Sequence, residues 1–154
     1  MKLIIFNLGG KEYGLDIAQV HEVIRLRAIT PIPETADFVE GVISLRGKVV
    51  PVINLGVRLG MEKKGFSKNS RIIITQVDSH SVGVAVDNVS DVITLDPASI
   101  TPSEQMLKDA EYLVGVARIA ERLVIIADIA KLLRQDITTH IQPLHERIEV
   151  RRKQ

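Results

Sequence analysis

The sequence predicts an all-β protein built as two small barrels, each of about five short strands, with short helices and a shared apolar seam. Three observations lead there. Apolar β-branched runs are bounded by turn residues, a hairpin signature lies between Gly41 and Gly60, and the whole pattern starts again at Arg71.

The hairpin stretch reads GVISLRGKVVPVINLGVRLG. Val42-Ile43 and the run from Val49 to Leu55 flank Leu45-Arg46-Gly47-Lys48, which places Arg46 and Gly47 at or beside a tight turn. Pro51 has no N–H to give to a ladder, so its strand should have a free edge there. Asn54 suits a helix N-cap, Leu55 and Leu59 share a helical face, and Gly60 suits the stop. A cation held at a turn between apolar strands reads as a recognition feature; the alternative is an ordinary solvated arginine.

The chain before this stretch opens with KLIIFNL, a continuous apolar run and hence a buried strand, then turns at Gly9-Gly10-Lys11 and returns through Glu12 to Asp16. Ile17, Val20 and Ile24 then recur at helical spacing behind Asp16, predicting a short helical turn. Residues 25–36 carry two prolines and should cross the surface extended, and MEKKGFSKNS is a polar loop without periodicity.

Residues 71–93 lie over residues 2–24 without a gap. Ile4, Ile5, Gly14, Val20, Val23 and Ile24 match Ile73, Ile74, Gly83, Val89, Val92 and Ile93. The segment from Gly115 lies over the segment from Gly41, with Val50 against Val124, Leu59 against Leu133, and Asn54 facing Asp128 at the cap position. Chance matching of apolar residues does not explain a shared order of strand, glycine, strand and capped helix, so the chain is an internal duplication. The expected organisation is one domain over residues 1–136, in units of about 1–70 and 71–136, followed by a tail over 137–154. A unit of this size buries a thin core alone, so the two units should share an apolar seam, and a strand could cross between them. Arg46-Gly47 faces Ala120-Glu121, so the arginine turn exists only once, which favours a functional role for it. In the tail, Leu144 and Ile148 allow a short amphipathic helix ahead of a basic end.

The 154 residues are 45 % hydrophobic and 25 % charged, a globular composition, and the net charge of +1 gives no general pull toward nucleic acid or an anionic membrane. No cysteine is present, which excludes disulfides and thiolate chemistry. No signal-peptide core and no bilayer-length apolar run is visible, so a cytoplasmic protein without membrane insertion is expected. No Gly-rich phosphate loop or hydrolase signature occurs, and His21, His80, His140 and His145 show no paired-ligand spacing. With aromatics at 3 % there is no stacking platform for RNA beside Arg25 and Arg27. Neither catalysis, nor a metal, nor a cofactor is expected.

KEYGLDIAQVHEVIR, ITPIPETADFVEGVISLRGKVVPVINLGVRLG and VGVAVDNVSDVI, in this order and spacing, resemble the CheW family of chemotaxis coupling proteins over roughly Leu3 to Leu133. The resemblance implies two intertwined five-stranded SH3-like barrels. It also implies a non-enzymatic adaptor that couples the cytoplasmic tip of a methyl-accepting chemoreceptor to the regulatory domain of a CheA-type histidine kinase, at receptor arrays near the inner membrane. The family's receptor-binding surface maps onto Val20 and Glu22 after YGLDI and onto Gly41, Arg46 and Gly47 in EGVISLRG. Ser44 stands where the family usually has Asn, and Asn54 and Gly56 stand where Asp and Arg are usual. The missing arginine leaves open an adaptor of another receptor–kinase pathway, such as one controlling pili or surface behaviour. A detached kinase regulatory domain is the other alternative, less favoured because Met1 leads straight into the first strand. Two further expectations follow. Ile4, Leu15, Val42 and Val52 should form one core facing Ile73, Val84, Val116 and Ile126 in the other, and Glu22 should pair with Arg46.

Overall fold

The computed structural model describes residues 1–102 and 112–144. Strands β1 (Lys2–Leu8) and β2 (Lys11–Asp16) form a hairpin over Gly9-Gly10, and one 3-10 turn, Ile17–Gln19, leads into β3 (Val20–Arg25). Strands β4 (Val39–Leu45) and β5 (Lys48–Asn54) form the next hairpin, followed by the one-turn helix α1 (Leu55–Arg58). The second half repeats this order with β6 (Arg71–Val77), β7 (His80–Val86), β8 (Asn88–Thr94), a short β9 (Ile100–Pro102), β10 (Leu113–Ile119), β11 (Arg122–Ala127) and helix α2 (Ile129–Asp136).

The halves of the sequence are not the sheets of the molecule. One sheet runs β8-β1-β2-β11-β10-β9 and the other β3-β6-β7-β5-β4, so each takes strands from both units. The third strand of each unit pairs with the first strand of the other, in matching register: Leu3 with Ile93 and Ile72 with Ile24, Ile4 with Val92 and Ile73 with Val23. The parallel ladders match as well, Val52 facing Gly83 where Ile126 faces Gly14. Even the register shifts correspond, at His21 and Ser90 in the exchanged strands and at Glu40 and Val114 in the two hairpins. A bulge reverses which face the following side chains take, so it is set by packing and not by chance. The duplication is present, and the strands cross between its units as a reciprocal exchange.

Exchange sorts the apolar residues into three clusters. Ile43, Leu45, Val50, Val52, Ile72, Ile74 and Ala85 form one cluster on the five-stranded sheet, and Leu3, Ile5, Ala117, Val124 and Ile126 form another on the six-stranded one. The largest cluster is the seam, with Phe6, Leu15, Ile53, Ile73, Val84 and the helix residues Leu132 and Leu133. Of the eight residues expected in two facing cores, Val42 and Val116 are only partly buried. Leu15, Ile73 and Val84 share the seam, while Val52 and Ile126 lie in separate cores. The split by half fails because β1, β2, β6 and β7 each contribute to the sheet of the opposite unit.

Asn54 and Asp128 cap α1 and α2 as the duplication predicts, each side chain accepting an N–H from three residues on, at 3.1 Å from Val57 and from Lys131. Strand β5 is an interior strand. Pro51 is tolerated there because its ladder to β7 begins only at Val52, which leaves the edge beside Pro51 free as expected. The helical turn expected over Ile17, Val20 and Ile24 ends at Gln19, and Val20 already belongs to β3. After α2 the chain continues as a π-helical turn, Ile137–Ile141. Ile137, Ile141 and Leu144 are buried in the seam, at about 1.5–3 kcal/mol each. Arg58 donates to Asp136 at 2.8 Å and stacks over Phe38, which meets the edge of His140. Ile148, the other apolar residue of the expected tail helix, lies outside the described residues.

Candidate functional site

The site is built at the β4–β5 turn. Arg46 and Gly47 both have left-handed backbone, φ +48° and +79°, as the two-residue turn of a right-twisted hairpin requires. Glycine adopts this without cost, and nothing stands within 4 Å of its missing Cβ. The turn points the Arg46 side chain across to β3, where its two terminal nitrogens donate to the two carboxylate oxygens of Glu22 at 2.5 and 2.6 Å. The expected pair is therefore formed, and as a two-pronged one.

Its position gives it significance. Strands β3 and β4 are opposite edges of the five-stranded sheet, and the pair links one edge to the turn at the end of the other. Arg46 stays 66 % exposed while Glu22 is 23 % exposed, so the carboxylate is the anchored partner and the guanidinium the presented one. The hydrogen bonds from Arg46 lower the Glu22 pKa below the usual carboxylate range; partial desolvation opposes this, and the charges of Arg46, His21 and Arg27 add to it. Arg46 is shifted upward by the same contact.

The other expected site residues divide. Val20 is half-buried at the start of β3 and packs on the seam, so it offers only part of its surface. Gly41 is buried, with φ +141°, and a Cβ there would lie 2.1 Å from the Thr30 carbonyl oxygen. Its lack of a side chain serves the chain's own crossing, in which Thr30 and Val42 exchange backbone hydrogen bonds of 2.8 and 2.9 Å. Thr30 occupies the space beside Gly41, while nothing stands within 4 Å of where a Gly47 Cβ would lie.

Two further residues bear on the site: Gln19, which the sequence did not mark, and Arg27, which it offered only as an RNA contact. Gln19 donates to the Asp128 carboxylate at 3.0 Å and accepts from the Ile129 N–H at 3.2 Å, fixing the turn before Val20 to the start of α2. Arg27 donates to the Ser44 carbonyl at 3.0 Å, from the β3 side to the edge of β4. Both contacts link residues distant in sequence, and neither residue type announces such a bond. Gly56 borders a half-open cavity with Leu8, Met61 and Phe66.

The arrangement is a clamped cation at an exposed turn, beside a partly apolar strand. Among the described residues no group of three or more His, Asp or Glu side chains could hold a metal. No helix among them is long and apolar enough to cross a membrane. The CheW-like domain family matches residues 2–136. The chain is 37 % identical over 137 residues to "Chemotaxis protein CheW" of Klebsiella aerogenes, covering 88 % of this chain and 82 % of that one. It is 35 % identical to the protein of the same name from Rhizobium meliloti, over 83 % and 84 % of the two. The crystal structure of scaffolding protein TtCheW from Thermoanaerobacter tengcongensis superposes with a TM-score of 0.79 at 43 % identity, covering 86 % of this chain and 91 % of that one. Duplication, exchanged sheets and the arginine turn all fall within the matched residues, and the chain belongs to the CheW family.

Proposed function

We propose that this chain is a non-enzymatic scaffold in chemotaxis signalling, which couples the cytoplasmic tip of a chemoreceptor to the regulatory domain of a CheA-type histidine kinase. In this reading it works in the cytoplasm, at receptor arrays near the inner membrane. The observation that carries the proposal is the Arg46–Glu22 clamp at an exposed two-residue turn. It is a preorganised charged rim beside an apolar strand, the arrangement that receives one face of a helical hairpin. Glu22, Arg46 and Gly47 form the contact in this proposal, Val20 supplies the apolar edge, and Gly41 acts indirectly by holding Thr30 against β4. The kinase docks elsewhere, on strand edges away from the turn.

An ATP-consumption assay with purified receptor-tip fragment, kinase and full-length chain tests it. Wild type should raise kinase activity in the presence of receptor. Arg46→Glu should keep its circular dichroism and its binding to the kinase but lose receptor-dependent activation, because two carboxylates then oppose each other. A wild type that leaves kinase activity unchanged would overturn the scaffold reading. Normal receptor binding by Arg46→Glu would instead move the site.

A further inference from the structure

We propose that Arg27 is a positioning residue for the recognition turn, supplying by its side chain the edge pairing that the backbone stops making; this rests on the receptor-binding reading above. The backbone link between the segment after β3 and the edge of β4 is the reciprocal pair of bonds between Thr30 and Val42. In an antiparallel ladder the next hydrogen-bonded pair lies two residues along on each strand, which here is Ala28 with Ser44. Among the described residues that backbone pair is not made. The Arg27 guanidinium instead reaches the Ser44 carbonyl at 3.0 Å and takes the place of the Ala28 N–H.

From Ser44 to the turn is a short step. Leu45 pairs with Lys48, and between them stand Arg46 and Gly47 in left-handed backbone. Beyond Val42 the backbone of β4 pairs with β5 alone among the described residues, and the Arg27 bond is what ties its outer edge at Ser44. Two arginines thus cross the same gap in opposite directions, Arg46 from the turn to Glu22 on β3 and Arg27 from the β3 side to Ser44 on β4. Arg27 also lies close enough to Glu22 to favour its charged form. Its action runs through Arg46: it fixes where the turn stands and so where Arg46 is presented.

The test uses the full chain as wild type, Arg27→Ala, Arg27→Lys, Arg46→Ala and the double alanine variant. Amide hydrogen exchange and affinity for a receptor-tip fragment are measured on each. Arg27→Ala should speed exchange at Leu45 and Lys48 about tenfold while Val52 and Ile53 keep wild-type rates. It should weaken receptor binding about fivefold, the scale of one lost hydrogen bond. Arg27→Lys, which keeps a donor and the charge, should recover part of both. In the Arg46→Ala background the Arg27→Ala change should cost no further affinity, since a residue acting only through another is not additive with it. Unchanged exchange at the turn in Arg27→Ala, or fully additive affinity losses, would overturn the proposal. If the wild type does not bind the fragment, the receptor reading falls, while the exchange rates still decide whether Arg27 holds the turn.

Discussion

The β4–β5 and β10–β11 hairpins are copies of one another that use an arginine differently. By the exchange symmetry, Glu22 on β3 corresponds to Asp91 on β8, and each pairs with an arginine of the neighbouring hairpin. In the first hairpin that arginine sits at the turn. In the second, the turn residue is Ala120 and the arginine has moved to Arg122, at the start of β11. There it meets Glu12 on β2 through two hydrogen bonds of 2.9 and 2.8 Å, and Asp91 at 3.5 Å. Arg122 is committed to three strands and lies 39 % exposed, against 66 % for Arg46. A shift of two positions separates a cation that staples the molecule from one that is offered outward.

The largest effect should come from the one feature both hairpins keep. Gly41→Ala and Gly115→Ala each force a Cβ onto a crossing carbonyl, 2.1 Å from Thr30 and 2.2 Å from Thr101. Urea denaturation should show a loss of about 3 kcal/mol for each, the upper range for overpacking. Gly41→Ala should be the worse, because only Gly41 also has φ in the left-handed region. Equal, negligible losses would mean that the crossings are not essential. Next, Arg122→Ala should lower the urea midpoint more than Arg46→Ala does, since it strands two carboxylates instead of one. The reverse order would erase the distinction between staple and offered cation.

The two turns themselves should respond in opposite directions. Gly47→Ala places a side chain in left-handed backbone and should cost about 1 kcal/mol. Ala120→Gly relieves φ +56° and should gain about 0.5 kcal/mol, measurable as a small rise in Tm. Smallest is a titration effect, best followed by carboxyl carbon shifts. Glu22 has a depressed folded-state pKa, so its pairing contributes above the ordinary carboxylate pKa and is lost only as pH falls through the lower, folded value. Arg46→Ala should return the Glu22 pKa upward toward the ordinary range. A Glu22 titration that does not move would mean the contact is absent in solution.

The sequence made the duplication legible because paired positions keep their apolar character. The Arg46–Glu22 pair was legible because both are single charges beside apolar segments and the family resemblance puts them on one surface. The helical spacing of Ile17, Val20 and Ile24 misled for a specific reason. The bulge at His21 reverses the alternation within β3, so Val20 packs on the seam while Ile24 packs inside the five-stranded sheet. One strand feeding two cores mimics a helical period. Strand exchange left no mark, because a ladder within a unit and a ladder between units ask for the same side chains. Arg27 and Gln19 stayed hidden since each bonds a distant group through a geometry that residue type does not encode.

The reciprocal exchange of β3 and β8 carries a consequence for ancestry. A half-length chain with this pairing scheme leaves its third strand without a partner unless a second copy supplies its first. Such a chain folds only as an interlocked homodimer, with a stability that falls on dilution and with every surface present twice. Joining the copies turns association into an intramolecular step and frees the fold from concentration. It also ends the obligation of identity: one turn could take an exposed arginine while its twin kept an alanine. Within one chain, the two turns no longer have to present the same side chain.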